Sequence, residues 1–312
     1  MQFGVREICD VVFKAKTGGF LNKVKKEYPY AAGEPILYID SAKTSTVEGA
    51  GTTVYAQGGR GNSRLISWEG EKTLTFTVED ALLSEIGFAV LSGAQLFKYD
   101  GSEGNKTKVH MTSKAVVGTT GTPATTVIDL TDALGADEVI CSTAPVFVMV
   151  MKDGSIVKKL TNLAISGKTL TGIADDYVNE TVFVDYYVEK ATKVTELTID
   201  AENFAGYYYV EASTLFRRQS DGKDLPAELI FPNVKIQSNF TFTMASSGDP
   251  STFTFTMDAM PGYTRFDKTK KVLCVMNIID DTAADDNVLG GDSIADTTNT
   301  QPGDDQGTTE QN

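Results

Sequence analysis

The chain has little of what enzymes ordinarily use. Its 312 residues include one histidine, one tryptophan and three cysteines, and 28 Lys and Arg stand against 42 Asp and Glu. Cys9, Cys141 and Cys274 lie far apart, are odd in number and form no CxxC pair. That argues against a disulfide framework or a zinc site and for three buried free thiols. His110, in Lys108-Val109-His110-Met111, has no second histidine for a metal and no serine or cysteine at nucleophile-elbow spacing. On a strand it reads as structural. No apolar run reaches the length of a membrane span. The first residues lack the basic start and apolar stretch of a signal peptide, so the chain is expected to be made and folded in a cytoplasm. Long runs of helical periodicity are scarce too, while glycine and threonine are plentiful, which favours a mainly β protein.

The charge is unevenly spread. Net charge is −14, and residues 280–312 hold nine carboxylates with no Lys or Arg. The rest of the chain is therefore only mildly acidic. Such a balance argues against sequence-specific DNA binding or an anionic membrane surface, both of which need cations to replace counterions. It is compatible with a surface that DNA slides past. Residues 280–312 carry too few apolar side chains to offset their ordering entropy, and an acidic disordered tail is expected there.

Sites that invite a chemical reading do not complete one. Gly58-Gly59-Arg60-Gly61-Asn62 lacks the Gly-Lys-Ser/Thr ending of a phosphate loop and reads as a turn. Asp100 and Glu103 lack the twelve-residue pattern of a calcium loop. Adjacent carboxylates at Asp175/Asp176, Asp280/Asp281 and Asp285/Asp286 point to opposite faces of an extended chain. A glycosidase needs two carboxylates facing each other across a cleft, and it stays only as a minor alternative. Tyr186, Tyr187, Tyr207, Tyr208 and Tyr209 read as strand packing. No catalytic, cofactor-binding or metal-binding residue is assigned, no cofactor is expected, and the sequence does not predict an enzyme.

What is present is alternation. Lys72-Thr73-Leu74-Thr75-Phe76-Thr77-Val78-Glu79-Asp80 repeats with a period of two, as do Asn239-Phe240-Thr241-Phe242-Thr243-Met244 and Ser251-Thr252-Phe253-Thr254-Phe255-Thr256-Met257-Asp258. Successive strand side chains point to opposite faces, so each segment carries an apolar face and a hydroxyl face. The second and third are read as a strand pair joined through Ser246-Ser247-Gly248-Asp249-Pro250. Residues 64–80 read as a hairpin turning at Glu69-Gly70-Glu71. Residues 81–91 switch to helical spacing, with Ser84 as the cap and Gly93 as the stop.

Elsewhere residues 1–60 read as short strands separated by glycine-rich turns. Among them, residues 35–39 are entered at a proline, as edge strands often are. Residues 139–141, 147–151 and 182–188 read as strands, with a hairpin turn at 152–155. The predicted organisation is a discontinuous β domain at 1–99 and 194–279, a small inserted β-sandwich at 100–193 and the acidic tail at 280–312. Lys14, Lys16, Lys23, Lys25 and Lys26 lie on a loop or hairpin that is either a solvated turn or an arm reaching an acidic neighbour.

Residues 68–94 and 221–279 together resemble bacteriophage tail tube proteins (major tail proteins). Three features carry the resemblance: Thr73-to-Ala81 followed at once by a short helix ending Leu91-Ser92-Gly93-Ala94, the segment Phe231-Pro232-Asn233-Val234-Lys235-Ile236, and the run from Phe253 to Ala259. The resemblance implies a β-sandwich or half-barrel with one flanking helix. It also implies a non-enzymatic virion subunit whose identical copies form stacked, hexameric rings around the exit path of viral DNA. The partners so implied are further copies of the chain, other phage tail proteins such as sheath, initiator or terminator, and double-stranded DNA passing non-specifically through the bore. The location implied is the virion, assembled in the cytoplasm of a bacterial host. Thr73, Thr75, Thr77, Thr241, Thr243, Thr254 and Thr256 are then candidates for a lumen-facing or subunit-facing surface, and the five lysines for an inter-ring arm. Head decoration, tail completion and host-surface binding by residues 100–193 are the alternative structural roles.

Overall fold

The computed structural model describes residues 2–241, 244, 246–247 and 252–280. It is mainly β, with one α-helix among the described residues. The chain begins with β1 (Phe3–Val5), β2 (Asp10–Ala15), the small hairpin β3 (Gly19–Asn22) and β4 (Glu27–Tyr30), and β5 (Pro35–Ile39). Two long strands follow, β6 (Ala42–Gly58) and β7 (Ser63–Asp80), and then α1 (Glu85–Ser92) and β8 (Gln95–Tyr99).

Two expectations are corrected here. Residues 42–58 form one long strand rather than short pieces. The turn of the hairpin lies at residues 59–62, not at Glu69-Gly70-Glu71, through which β7 runs unbroken. The reason is visible at Gly70. A Cβ there would lie 2.3 Å from Thr52 Oγ1, which accepts a hydrogen bond from Glu71 N at 2.8 Å. This glycine makes room for a cross-strand side chain beside the register shift at Gly51/Thr53, a bulge rather than a turn.

Helix α1 is shorter than its periodicity suggests, because Ser84 is the cap and residues 81–83 before it are not helical. Ser84 Oγ accepts from Gly87 N at 2.8 Å, satisfying one of the free amides of the first turn. Gly93 ends the helix with φ of 74°, and a Cβ on it would sit 2.4 Å from the Phe204 carbonyl carbon. Only glycine fits both constraints. Ser84→Ala is expected to cost about 1 kcal/mol, a fall of about 2–4 °C in the thermal midpoint of this part of the molecule, measured by calorimetry.

After β8 come β9 (Lys108–Thr120), β10 (Thr125–Asp129), β11 (Val139–Ile140), β12 (Phe147–Lys152), β13 (Ser155–Leu160), β14 (Ala164–Ser166), β15 (Thr169–Thr171) and β16 (Thr181–Glu189). They form one sheet in the order β13-β12-β16-β9-β10-β15-β14, with β11 on β16. The long β9 pairs with β16 along residues 108–116 and with β10 along 117–120, so it joins both halves of the sheet. Between them lies a core that includes Val117, Ile128, Leu170, Val184 and Tyr186. The buried Tyr186 hydroxyl shares a hydrogen bond with Ser113 Oγ at 2.8 Å. His110 lies on β9 with Nε2 2.7 Å from Asp185 Oδ1, half exposed.

The chain returns through β17 (Val194–Thr198), which pairs with β8 as a two-stranded ribbon. The last strands are β18 (Tyr207–Arg218), β19 (Asp224–Ile236), β20 (Phe253–Ala259) and β21 (Val275–Ile278). The large sheet has the order β5-β2-β18-β19-β20-β7-β6, with β1 on β18 and β21 on β19. Its two end strands are consecutive in sequence, Ile39 to Ala42, a step of three residues that spans about 10 Å at most. The sheet must therefore curl until its edges approach each other, giving a half-barrel. Inside the curl Phe13, Phe76, Val78, Phe231, Phe255 and Met257 form the core with Val90 and Leu91 of α1.

Three further expectations change. Strand β20 pairs with β7 and β19, and Asn239–Thr241 are not strand; the sheet position next to β20 is already filled by β7. Thr243, the expected turn at 248–250 and residues 281–312 lie outside the described residues. The last strand, expected over residues 271–279, covers only Val275–Ile278, and Cys274 is partly exposed while Cys9 and Cys141 are buried.

Candidate functional site

The core half of the β6–β7 hairpin and strand β20 build one continuous polar face. Phe76 and Val78 of β7 and Phe255 and Met257 of β20 are buried, so Thr75, Thr77, Thr254 and Thr256 face the other way. Cross-strand register sets Thr46, Thr77 and Thr256 in one row, and Thr44, Glu79 and Thr254 in the next. A third row holds Glu48, Thr75, Asp258 and Lys235. Thr73 continues the face outward opposite Ala50. Thr241 is exposed outside any strand, beside Thr254 and Thr256 in a shallow depression with Asn239 and Phe240.

The carboxylates on this face are held by hydroxyls and amides. Glu79 accepts from Thr252 Oγ1 at 2.5 Å and Thr44 Oγ1 at 3.2 Å, and these two contacts hold its carboxyl below the usual range. Asp258 accepts from Gln237 Nε2 at 3.1 and 3.0 Å. The one cation of these rows, Lys235, is drawn aside to the Ala205 carbonyl and over the Tyr207 ring at 5.0 Å. The face therefore offers fixed negative charge among hydroxyls and little to hold a polyanion.

Beyond Leu74 the hairpin leaves the body. Ser63–Thr73 of β7 are exposed, and so is nearly all of β6 beyond Thr46. At about 3.3 Å per residue this ribbon projects about 35 Å. Directly paired Val54 and Trp68, and Ala56 and Ile66, form an apolar patch on one of its faces. Trp68 is 52% exposed and Ile66 56%. The outer edge of β6 has no neighbour among the described residues. In sequence this patch is hidden by reading the turn at Gly70, which the structure places inside β7. Matching lengths of β-prone residues on either side of Gly58–Asn62 were the available signal.

Within the subunit the five lysines have separate surroundings. Lys14 pairs with Glu211 within the sheet, and Lys16 Nζ donates to Asn233 Oδ1 at 2.8 Å. Lys23 Nζ donates to Asn203 Oδ1 at 2.7 Å, and Lys25 Nζ lies 4.9 Å from the Tyr99 ring centroid. Lys26 occupies the β3–β4 turn at φ of 56°. The hairpin that carries the last three is folded back against β8, where Lys23 N donates to Gln95 Oε1 at 2.7 Å.

Among the described residues no group of three or more His, Cys, Asp or Glu is arranged to hold a metal ion, and no helix is long and apolar enough to cross a membrane. A family model described as YomU/Tube protein family matches residues 20–273. No curated protein matches the sequence.

Proposed function

The chain belongs to the YomU/Tube protein family, a phage tail tube-type family, and from that premise we propose that it is the ring-forming subunit of a tail tube through which viral DNA passes. Membership itself implies a structural component of the virion rather than an enzyme. The finer reading is that identical copies close into stacked, hexameric rings in the host cytoplasm, join other tail proteins, and pass double-stranded DNA without binding it.

The observation that carries this reading is the projecting β6–β7 ribbon. An isolated two-stranded ribbon is marginal in water, and an exposed strand edge is a template for pairing with another chain. A ribbon of about 35 Å bearing Val54, Ile66 and Trp68 on one face gains its support when a second copy covers it. Closing a ring in this way also removes the open edge of β6. The Thr75, Thr77, Thr254 and Thr256 face suits the bore, because hydroxyls with fixed carboxylates neither strip water from DNA nor replace its counterions. We assign residues 100–193 to an inserted domain that stands on the β8–β17 ribbon, since its core shares no residue with that of the half-barrel.

Electron microscopy of the purified full chain, alone and with a tail initiator complex, tests the reading. Rings or tubes of uniform diameter are expected. Single particles under both conditions would overturn it.

A further inference from the structure

Strand β18 has a gap along one edge. Strand β1 pairs with it at residues 216–218 and β2 at residues 208–213, so Thr214 and Leu215 have no strand partner on that side among the described residues. The chain between β1 and β2 passes the gap outside the ladder, held by Thr214 Oγ1, which donates to Glu7 O at 3.1 Å. The result is a groove of about 590 Å³, a size that can enclose several side chains. Leu215, Pro226 and Ile279 supply its apolar surface. Glu7, Asp10 and Glu228 line it too, and no Lys or Arg does among the described residues. Arg217, two residues on from Leu215, is engaged by Asp224 at 2.7 Å. An apolar groove with three carboxylates suits an insert that is both apolar and cationic.

The tip of the β6–β7 ribbon has that chemistry. Residues 49–68 contain two charged side chains, Arg60 and Arg64, both cationic and both exposed. A register shift at Ala56/Gln57 sets Arg64 opposite Gln57, on the Tyr55 side of the ribbon and away from Ile66 and Trp68. Its guanidinium accordingly lies 4.1 Å from the Tyr55 ring centroid. Leu65, next in sequence, is 65% exposed. Gly59 and Gly61 flank Arg60 with φ of 78° and 88°, and nothing stands within 4 Å of a Cβ built on either. The tip is therefore slim as well as cationic. Tip and groove also lie toward the same end of the sheet. From the row shared by Tyr207, Lys235, Asp258 and Thr75, β18 runs to Leu215 in the direction in which β7 runs back to Arg64. Neighbours related by rotation alone bring such surfaces together side by side.

We propose that the ribbon tip of one subunit seats in the β18 groove of the next, with Arg60 and Arg64 on Glu7, Asp10 and Glu228 and Leu65 on Leu215 and Pro226. The proposal rests on the tube reading in requiring copies of the chain to meet. It adds a contact separate from the Val54, Ile66 and Trp68 patch and identifies the surface that receives it. Tip and groove are different surfaces, so each copy gives one and receives one, and the contact repeats until a ring closes. The opposed charges fix which surfaces pair and in what register.

Charge reversal and cross-linking of the full chain test this. Arg64→Glu and Asp10→Lys are each expected to raise the concentration needed for assembly at least about tenfold, because like charges then face each other. The chain carrying both changes should recover assembly, since its tip and groove are again opposite in charge. In parallel, Arg64→Lys chains, mixed as light and nitrogen-15-labelled protein, are treated with a carbodiimide. The amine so introduced is expected to link to Glu7, Asp10 or Glu228 between light and heavy chains. Tubes that form without such links, and equally well from every variant, would overturn the groove contact and leave the tube reading standing. Links between chains that form neither rings nor tubes would do the reverse. Neither links nor assembly would overturn both, and links confined to single chains would show the tip seated in its own groove and overturn the proposal.

Discussion

Replacing Trp68 and Ile66 together by serine is expected to stop tube formation while leaving the subunit folded. Both side chains lie on the projecting ribbon, about half exposed, and neither belongs to the half-barrel core. Surface substitutions of this kind ordinarily change stability by about 0.5 kcal/mol or less, so the thermal midpoint should hardly move. At a subunit interface a buried tryptophan is commonly worth about 2 kcal/mol or more, a factor of about 30 in the concentration needed for assembly. A ring repeats that loss at every junction, so the combined effect is failure to assemble at any practical concentration. The pair should be read by sedimentation and by electron microscopy in parallel. Tubes of normal length from the variant would show that the ribbon is not the contact, and a lowered midpoint would show that Trp68 supports the fold instead.

The hydroxyl face was legible because alternation on a curled sheet leaves little freedom. Once Phe76 and Val78 are buried, Thr75 and Thr77 must face away, and the same holds for Thr254 and Thr256 beside Phe255 and Met257. The capped helix was legible for a similar local reason. Ser84 and Gly93 each satisfy a geometric demand at one end of α1 that few residues can meet. The projecting ribbon was not legible, since its central feature depends on a contact across the hairpin. Gly70 reads as a turn residue in sequence, and only the position of Thr52 eighteen residues away reveals why a glycine is required. The partner of β20 was missed on the same grounds. A threonine-alternating strand fits any neighbour of like pattern, and β7, distant in sequence, pairs with it from Thr75 to Asp80. The contacts of the lysine cluster within the subunit were not legible, because charge in sequence says nothing of internal partners, and Glu211, Asn233 and Asn203 lie far along the chain.

Phe231→Ala should remove about 3–5 kcal/mol from the half-barrel and leave residues 100–193 untouched. Phe231 has no exposed surface and its ring stacks on Phe76 with centroids 4.7 Å apart and planes 10° apart. Truncation loses the buried ring, opens a cavity in the curl of the sheet and breaks the stacked pair, a combination typically worth about that much. Against a total stability of about 5–15 kcal/mol this is a large fraction. The midpoint of the half-barrel should fall by about 6–20 °C. The core around Tyr186 and Val184 shares no member with the one around Phe231, and the β8–β17 ribbon leads from one sheet to the other. Calorimetry of the full-length variant is therefore expected to show two transitions, one displaced and one at its original temperature. A single transition that moves as a whole would mean that the two cores melt together, and residues 100–193 would then be an extension of the half-barrel rather than a domain set into it.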